Sequence, residues 1–354
     1  MNTDKYEIND VRSSTDFKGI TFSGYKKSDV KTQFINNLKK NKIEQSCFWC
    51  AELICAGHYT DLWEYIILFF GKHIHLGNPK IISYLDKRFE VFRNVMQQGQ
   101  LVNELHIRNH PTIRKLFAEI ICVLIQSDKK NSVEVIKVIR EEDYDITQIN
   151  GRLKATSMDF AKDIFCQEDP KELFIAINEF TYNISNKKSM IDACYWYEWI
   201  VDFNTICNKK KDLCICETRT FMNVENKFRK DCVWILWDAL LYYSKDNSFI
   251  HTMMQSVLNV FCIKYTTASC KKRRYLFYFA ISLLTEKVIT NSEIIKDKKT
   301  IEAVTNKINI VYKQIKKNEH SPNTDYLFAN LEKENSIEQS LMKMNLVNSL
   351  DIHK

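Results

Sequence analysis

Glycine and proline are scarce in this chain, at 7 and 4 among 354 residues. The glycines also stop early. Gly19, Gly24, Gly57, Gly71, Gly77, Gly99 and Gly151 all precede residue 152, and the remaining 203 residues (354 − 151) hold none. Hairpin turns and phosphate-cradling loops both depend on glycine, so the second half is most easily built from helices. The sequence also lacks G-x4-G-K-[ST], G-x-G-x-x-G, G-x-S-x-G and H-E-x-x-H. Those absences remove the local signatures of the common nucleotide-binding, serine-hydrolase and zinc-protease sites. No apolar run approaches about 18 residues, so no membrane span is expected. The opening MNTDKYEINDVRSSTDFKG has no hydrophobic core of a secretory signal.

What is present favours a packed helical protein. Hydrophobic residues make up 45% and aromatics 12%, enough to bury sizeable cores and to exclude wholesale disorder. The net charge of +7 is mildly basic, compatible with a polyanionic partner and not diagnostic of one. Twelve cysteines without a secretory context read as reduced, mostly buried thiols.

Residues 1–27 are polar and turn-rich and read as a loose N-terminus. From there apolar spacing sets the elements. Val30, Phe34 and Leu38 recur every four residues behind a Ser28-Asp29 cap. SCFWCAELIC continues as a helix closed by Gly57. Asp61 is placed to cap LWEYIILFFGKHI, the turn Leu76–Lys80 stops it, and Pro79 suits the next helix start. Pro111 opens TIRKLFAEIICVLIQ. A helical lobe over 28–140 is followed by a polar connection over 141–169 and a second lobe over 170–286. Ile294, Ile301, Val304, Ile308, Val311 and Ile315 then predict one long helix over 291–318. SPNTD interrupts, and a final helix is expected to run to about Leu350 within a tail of 291–354. The expected fold class is all-α: two helical lobes plus a C-terminal helical tail.

The lobes share small matches in order. Cys47-Phe48-Trp49, Leu62-Trp63-Glu64 and Arg114-x-Leu116-Phe117 correspond to Cys194-Tyr195-Trp196, Leu236-Trp237-Asp238 and Arg274-x-Leu276-Phe277. They point to a duplicated module, against the alternative that aromatic-rich helices resemble one another by composition.

The candidate sites are few. Cys47, Cys50, Cys55 and His58 fall on one helix face, but eleven residues at about 1.5 Å each separate the ends by roughly 16 Å. One zinc ion holds its ligands within about 2.3 Å, so the group reads as a packing face. Cys207, Cys214 and Cys216 form a thiol-dense, loop-like stretch beside Lys209, Lys210 and Lys211, where a metal with Cys232 or Cys194 as fourth ligand is the alternative to ordinary thiols. His73 and His75 lie two apart and do not share a helix face. Lys271, Lys272, Arg273 and Arg274 open a helix, where four cations oppose the macrodipole and a bound polyanion would offset the cost. They and Lys209–Lys211 are the candidate nucleic-acid contacts, against a solvated surface or a nuclear-targeting signal. Lys39, Lys40, Lys42, Lys129 and Lys130 add further basic clusters. Tyr195, Tyr197 and Trp199 belong to an aromatic stripe that serves either the core or a docking patch.

The strings GYKKSDVKTQFINNL, CFWCAELICAGHYTDLWEYIILFFGKHIHLGNPK, RKLFAEIICVL, DPKELFIAINEF and ACYWYEWIVDFNTIC resemble a protein family of nucleocytoplasmic large DNA viruses over about residues 22 to 286. The resemblance implies a viral origin and brings no activity. Ala51-x-Leu53, Gly57, Trp63, Leu76-Gly77-Asn78-Pro79, Leu124 and Lys129-Lys130-Asn131-Ser132, within about 42–137, are also similar to the helical collar of RarA-type clamp-loader-like ATPases. That collar is an oligomerisation domain. The resemblance implies a collar-like platform, while the Walker lysine and Walker B carboxylate of the ATPase module are missing. The expected function is a non-enzymatic helical adaptor or scaffold in viral DNA replication or processing, with a minor virion structural or internal scaffold protein as the alternative. A thiol- or metal-dependent enzyme is a third reading. Expected partners are viral replication or capsid proteins, an oligomer of the chain and nucleic acid, with no membrane and no cofactor. The expected setting is the host cytoplasm, viral factory, nucleus or virion.

Overall fold

A computed structural model describes residues 5–98, 104–144, 149–210 and 214–320. The protein is all-α. The helices are α1 (Lys27–Lys39), α2 (Ile43–Cys55), α3 (Tyr59–Phe69), α4 (Ile81–Gln98), α5 (Pro111–Gln126), α6 (Phe174–Ser185), α7 (Met190–Lys210), α8 (Val233–Ser244), α9 (Ser248–Phe261), α10 (Arg274–Thr285), α11 (Lys298–Lys307) and α12 (Asn309–Lys316). Among the described residues, β pairing is confined to two isolated bridges, Ile20 with Lys26 and Ile215 with Asp231. No helix of the described residues is long and apolar enough to cross a membrane.

Several boundaries follow from the residues named above. Gly57 takes φ +75° after α2. Its N–H bonds Ile54 O at 3.0 Å while His58 N–H bonds Leu53 O at 2.8 Å, the paired closure that satisfies orphan carbonyls at a helix end. Pro111 is the first residue of α5. The two expected acidic caps are corrected. α1 begins at Lys27 with Lys26 at its N-cap and no side-chain cap, so Ser28 and Asp29 lie inside the first turn. Asp61 lies inside the first turn of α3, where it pairs with Lys27 at 2.6 Å. A carboxylate there still complements the helix dipole without capping it.

The two helical series share one core. α4 packs on α9, α10 lies against α3 and α7, α6 packs on α7 and α8, α11 returns to α5 and α12 to α2. The matched strings repeat a contact. Trp63 meets Phe117 with ring centroids 5.6 Å apart, and Trp237 meets Phe277 at 5.1 Å.

Two expectations fail for identifiable reasons. The N-terminal segment is not loose from residue 5 onward. Ile8, Phe17 and Phe22 are buried, Arg12 lies over both phenylalanine rings, and buried Glu52 accepts from Thr21 and Ser23. Three isolated apolar anchors carry no period, so the pattern did not show them. The long helix over 291–318 is replaced by α11 and α12, separated at Ile308. Buried Asn78 donates to Glu293 O at 2.7 Å, and Asp297 caps α11 by accepting from Thr300 N–H at 3.0 Å, so helix begins only at 298. The final helix expected to about Leu350 lies outside the described residues.

Candidate functional site: a basic pocket at a helix interruption

The helix that starts at Tyr59 does not end as an ordinary α-helix. It widens into a π-helical turn over Phe70–Ile74, followed by a 3₁₀ turn over His75–Gly77. Such wide turns are rare and recur at functional positions. Gly71 explains how this one fits the fold. A Cβ there would stand 2.8 Å from the Tyr275 carbonyl carbon and 2.9 Å from Leu276 N, so only glycine lets α10 approach. His75 sits at φ +45° and ψ −130°, a strained conformation for a residue with a Cβ.

The segment after α5 satisfies the turn. Ser132 N–H donates to Lys72 O at 2.9 Å and Lys130 N–H donates to Ile74 O at 3.2 Å. Gly77 permits this approach, since a Cβ there would lie 2.6 Å from Asp128 O. The pairing sets Asn131 and Glu134 beside His73 and Lys72. Asn131 Oδ1 is 2.9 Å from His73 Nδ1, and Lys72 Nζ donates to Glu134 Oε2 at 3.2 Å.

α1 supplies the facing wall. Its apolar stripe of Val30, Phe34 and Leu38 is buried. Lys31, Ile35 and Lys39 follow the same four-residue spacing one position on and line a pocket of about 430 Å³ with Lys72, His73 and Glu134. Lys31 also lies 5.6 Å from the Tyr65 ring centroid and Lys72 5.0 Å from that of Tyr275. Three ammonium groups thus face one carboxylate, and the Glu134 side chain is 81% exposed. An exposed pair of this kind contributes about 0–1 kcal/mol, so Glu134 can yield to a stronger anion. Burial holds the His73 pKa below its ordinary value, and Lys39 and Lys72 push it the same way against the Asn131 hydrogen bond. The pocket therefore combines three cations with an imidazole whose pKa is held low by burial and by two of them.

The sites expected from sequence are redistributed. Arg273 is buried and ion-paired with Glu64 at 2.5 Å, and it donates to Phe261 O. Arg274 lies 3.5 Å from Glu198, whose pKa is raised by burial against the pull of Arg274. Two of the four cations expected to meet phosphate are therefore structural. Lys272 is exposed, and Lys271 lies 3.9 Å from Asp202. Lys209 and Lys271 do line one cleft of about 370 Å³, together with Thr205, Asn208, Thr267 and Cys232. Asp202 beside it is already held by Arg140 at 2.6 Å. Lys210 is exposed at the end of α7, and Lys211 lies outside the described residues.

The docking-patch reading of the aromatic stripe is corrected, because Tyr195, Tyr197 and Trp199 are all buried. Tyr197 stacks on Phe277 at 4.1 Å and donates to Cys270 O, while Trp199 Nε1 donates to Asp143 O. The metal group is also rearranged. Cys207 sits in the last turns of α7, which were expected to be loop, whereas Cys214 neighbours Cys216 and Cys232. Among the described residues no group of three or more His, Cys, Asp or Glu side chains is arranged to hold a metal ion. Cys47, Cys50 and Cys55 are buried along α2, and His58 Nε2 is engaged with Ile20 O at 2.7 Å.

Lys31 and Lys72 belong to no motif of the sequence, Lys39 falls in a separate basic cluster, and ordinary helical spacing takes His73 and His75 to different faces. A wide turn changes that spacing, and no residue pattern announced it.

No family model matches the chain, and no curated protein or solved structure matches it either.

Proposed function

We propose that this protein is a non-enzymatic helical adaptor that holds nucleic-acid phosphate between Lys31, Lys39, Lys72 and His73. One observation carries the reading. Two elements, α1 and the π turn, bring three ammonium groups into one pocket against a single exposed carboxylate from the segment after α5. Backbone phosphate is recognised through this kind of convergent, sequence-independent positive charge. The proposed setting is replication or processing of viral DNA, in which the resemblance of the long sequence strings carries the viral origin alone. Collar-like assembly with viral partners is supported by an apolar groove of about 570 Å³ between α2 and α11–α12, where Phe48, Trp49, Val304 and Val311 line the walls. The lysines of the Lys209–Lys271 cleft offer a secondary phosphate contact.

The test is binding of labelled duplex DNA followed by fluorescence anisotropy across salt concentration. On roughly 0.9 per neutralised phosphate, two to three contacts give a log–log slope of about −2 to −3. A flat plot contradicts the proposal. A minor virion or internal scaffold component is the second reading, favoured by the same apolar groove. Proteomics of purified particles separates the two, because an adaptor of replication is scarce in virions and a structural component is not.

A further inference from the structure

Three thiols meet away from the basic pocket. Ile215 and Asp231 form an antiparallel bridge, and Cys216 N–H donates to Lys230 O at 3.0 Å. Residues flanking such a bridge lie opposite each other, with Cα atoms about 5.5 Å apart at hydrogen-bonded positions. Cys214 therefore stands across from Cys232, at the entrance to α8. Cys214 and Cys216 are two apart on an extended segment, so they share a face. The side chains converge, because the Cys216 and Cys232 thiols both neighbour that of Cys214. Cys216 and Cys232 are buried and Cys214 is half-buried.

The arrangement singles out one pair. A disulfide needs Cα atoms about 4.4–6.8 Å apart with converging side chains. The Ile215–Asp231 bridge sets Cys214 and Cys232 opposite each other at about this separation. Cys214 and Cys216 lie on one extended segment at the far limit of that range, with parallel side chains. The three are not placed to share a metal ion. A route in also exists. Cys214 is the half-buried thiol of the three, and on the Cys232 side a cleft of about 370 Å³ carries Lys209 and Lys271 against the single carboxylate Asp231, a net positive lining that favours an anionic visitor.

We propose that Cys214 and Cys232 are a redox-active dithiol that closes to a disulfide by exchange with a small anionic disulfide. Cys216 supports the attack by hydrogen-bonding to the Cys214 sulfur. Cys214, as thiolate, attacks one sulfur of the incoming disulfide and expels one thiolate. The Cys232 sulfur then attacks Cys214 and expels the second small thiolate, which takes up the Cys232 proton. In sum, two protein thiols and one small disulfide become one protein disulfide and two small thiols. The bond would close the loop from 214 to 232. This inference does not depend on phosphate binding at the first pocket.

The experiment incubates the full native chain with glutathione disulfide, quenches with an alkylating agent, and maps the digest by mass spectrometry. The expected result is one dominant linked pair, Cys214 with Cys232, and a melting temperature several degrees higher than that of the reduced protein. Cys214→Ser abolishes both effects. Cys216→Ala, which removes the donor, keeps the same pair and forms it more slowly. If Cys232→Ser does not fold, Cys214→Ser, at the half-buried position, serves as the control. Cross-linking spread over the other cysteines, a dominant Cys214–Cys216 bond, no linkage, or protection of the trio by co-purified zinc at one ion per chain would each overturn the proposal.

Discussion

Arg273 Nη2 stands 2.5 Å from Glu64 Oε1, and this ion pair fastens the second helical series to the first. Arg273 also donates through Nη1 to Phe261 O. Removing one partner of a buried pair strands the other charge, at a cost of about 3–5 kcal/mol. Arg273→Ala is expected to lose roughly 3 kcal/mol in urea unfolding, at the low end because Glu64 keeps partial solvent access. Glu64→Gln retains an acceptor but leaves the more deeply buried Arg273 guanidinium without its counter-charge, so it loses a comparable amount, about 3 kcal/mol. Lys272→Ala, exposed two residues from the Glu64-linked helix start, stays within about 0.5 kcal/mol of the wild type. Equal losses for all three would contradict a structural role for Arg273.

The wide turn depends on Gly71. A methyl group there meets the backbone of Tyr275 and Leu276 at under 3.0 Å, and backbone cannot rotate away as a side chain can. Gly71→Ala is expected to cost about 1–3 kcal/mol as α10 is pushed off the turn. It should also weaken DNA binding, because Lys72 and His73 move with the turn. A variant of wild-type stability and affinity would show that the close approach does not matter.

Buried His75 makes stability acid-sensitive. Its two ring nitrogens have no hydrogen-bond partner, its ring edges Phe279 at 5.5 Å, and burial, with Lys130 nearby, holds its pKa down to about 3. The folded pKa lies below the unfolded value of about 6.5. The stability tied to the neutral ring is therefore complete above pH 6.5 and is lost as pH falls from there toward 3. One such group contributes a slope of about 1.4 kcal/mol per pH unit in that window. Replacing His75 with Asn, which titrates nowhere in the window, should flatten this part of the urea-midpoint profile by one proton. An unchanged profile would remove His75 as its source.

Phosphate binding and His73 are linked in the other direction. Lys39 and Lys72 help hold the His73 pKa low, with Glu134 opposing them. A bound phosphate cancels part of that positive field, so the pKa of His73 rises on binding and a proton is taken up. Affinity for DNA should then increase as pH falls below the ordinary imidazole range. His73→Gln keeps a polar side chain beside Asn131 and should lose this increase. Parallel pH profiles for the two proteins would break the link.

The sequence disclosed the architecture more readily than the site. Val30, Phe34 and Leu38 repeat at helical spacing and are buried on α1, Pro111 starts α5, and Gly57 closes α2. These are local rules in which the residue acts on its own backbone. Trp63 with Phe117 and Trp237 with Phe277 repeat one contact because Leu-Trp and Leu-Phe strings recur in order. The site followed no such rule. Lys31, Lys72 and Asn131 come together only because a π turn shifts the helical register and a distant segment hydrogen-bonds to it. Charge runs misled for a related reason. The run from Lys271 to Arg274 spans the junction between a short helical turn over Ser269–Lys272 and the start of α10, so it splits into exposed lysines and internally paired arginines.

The most direct test compares the salt dependence of DNA binding for three proteins: the wild type, Lys31→Ala/Lys39→Ala/Lys72→Ala, and Lys209→Ala/Lys271→Ala/Lys272→Ala. Each neutralised phosphate contributes roughly 0.9 to the log–log slope. The pocket triple variant should lose about 2–3 from the slope while keeping its helical circular dichroism, and the second variant should lose about 1 or less. If instead the second variant abolishes the salt dependence and the pocket variant matches the wild type, the pocket at the helix interruption is not where phosphate is held.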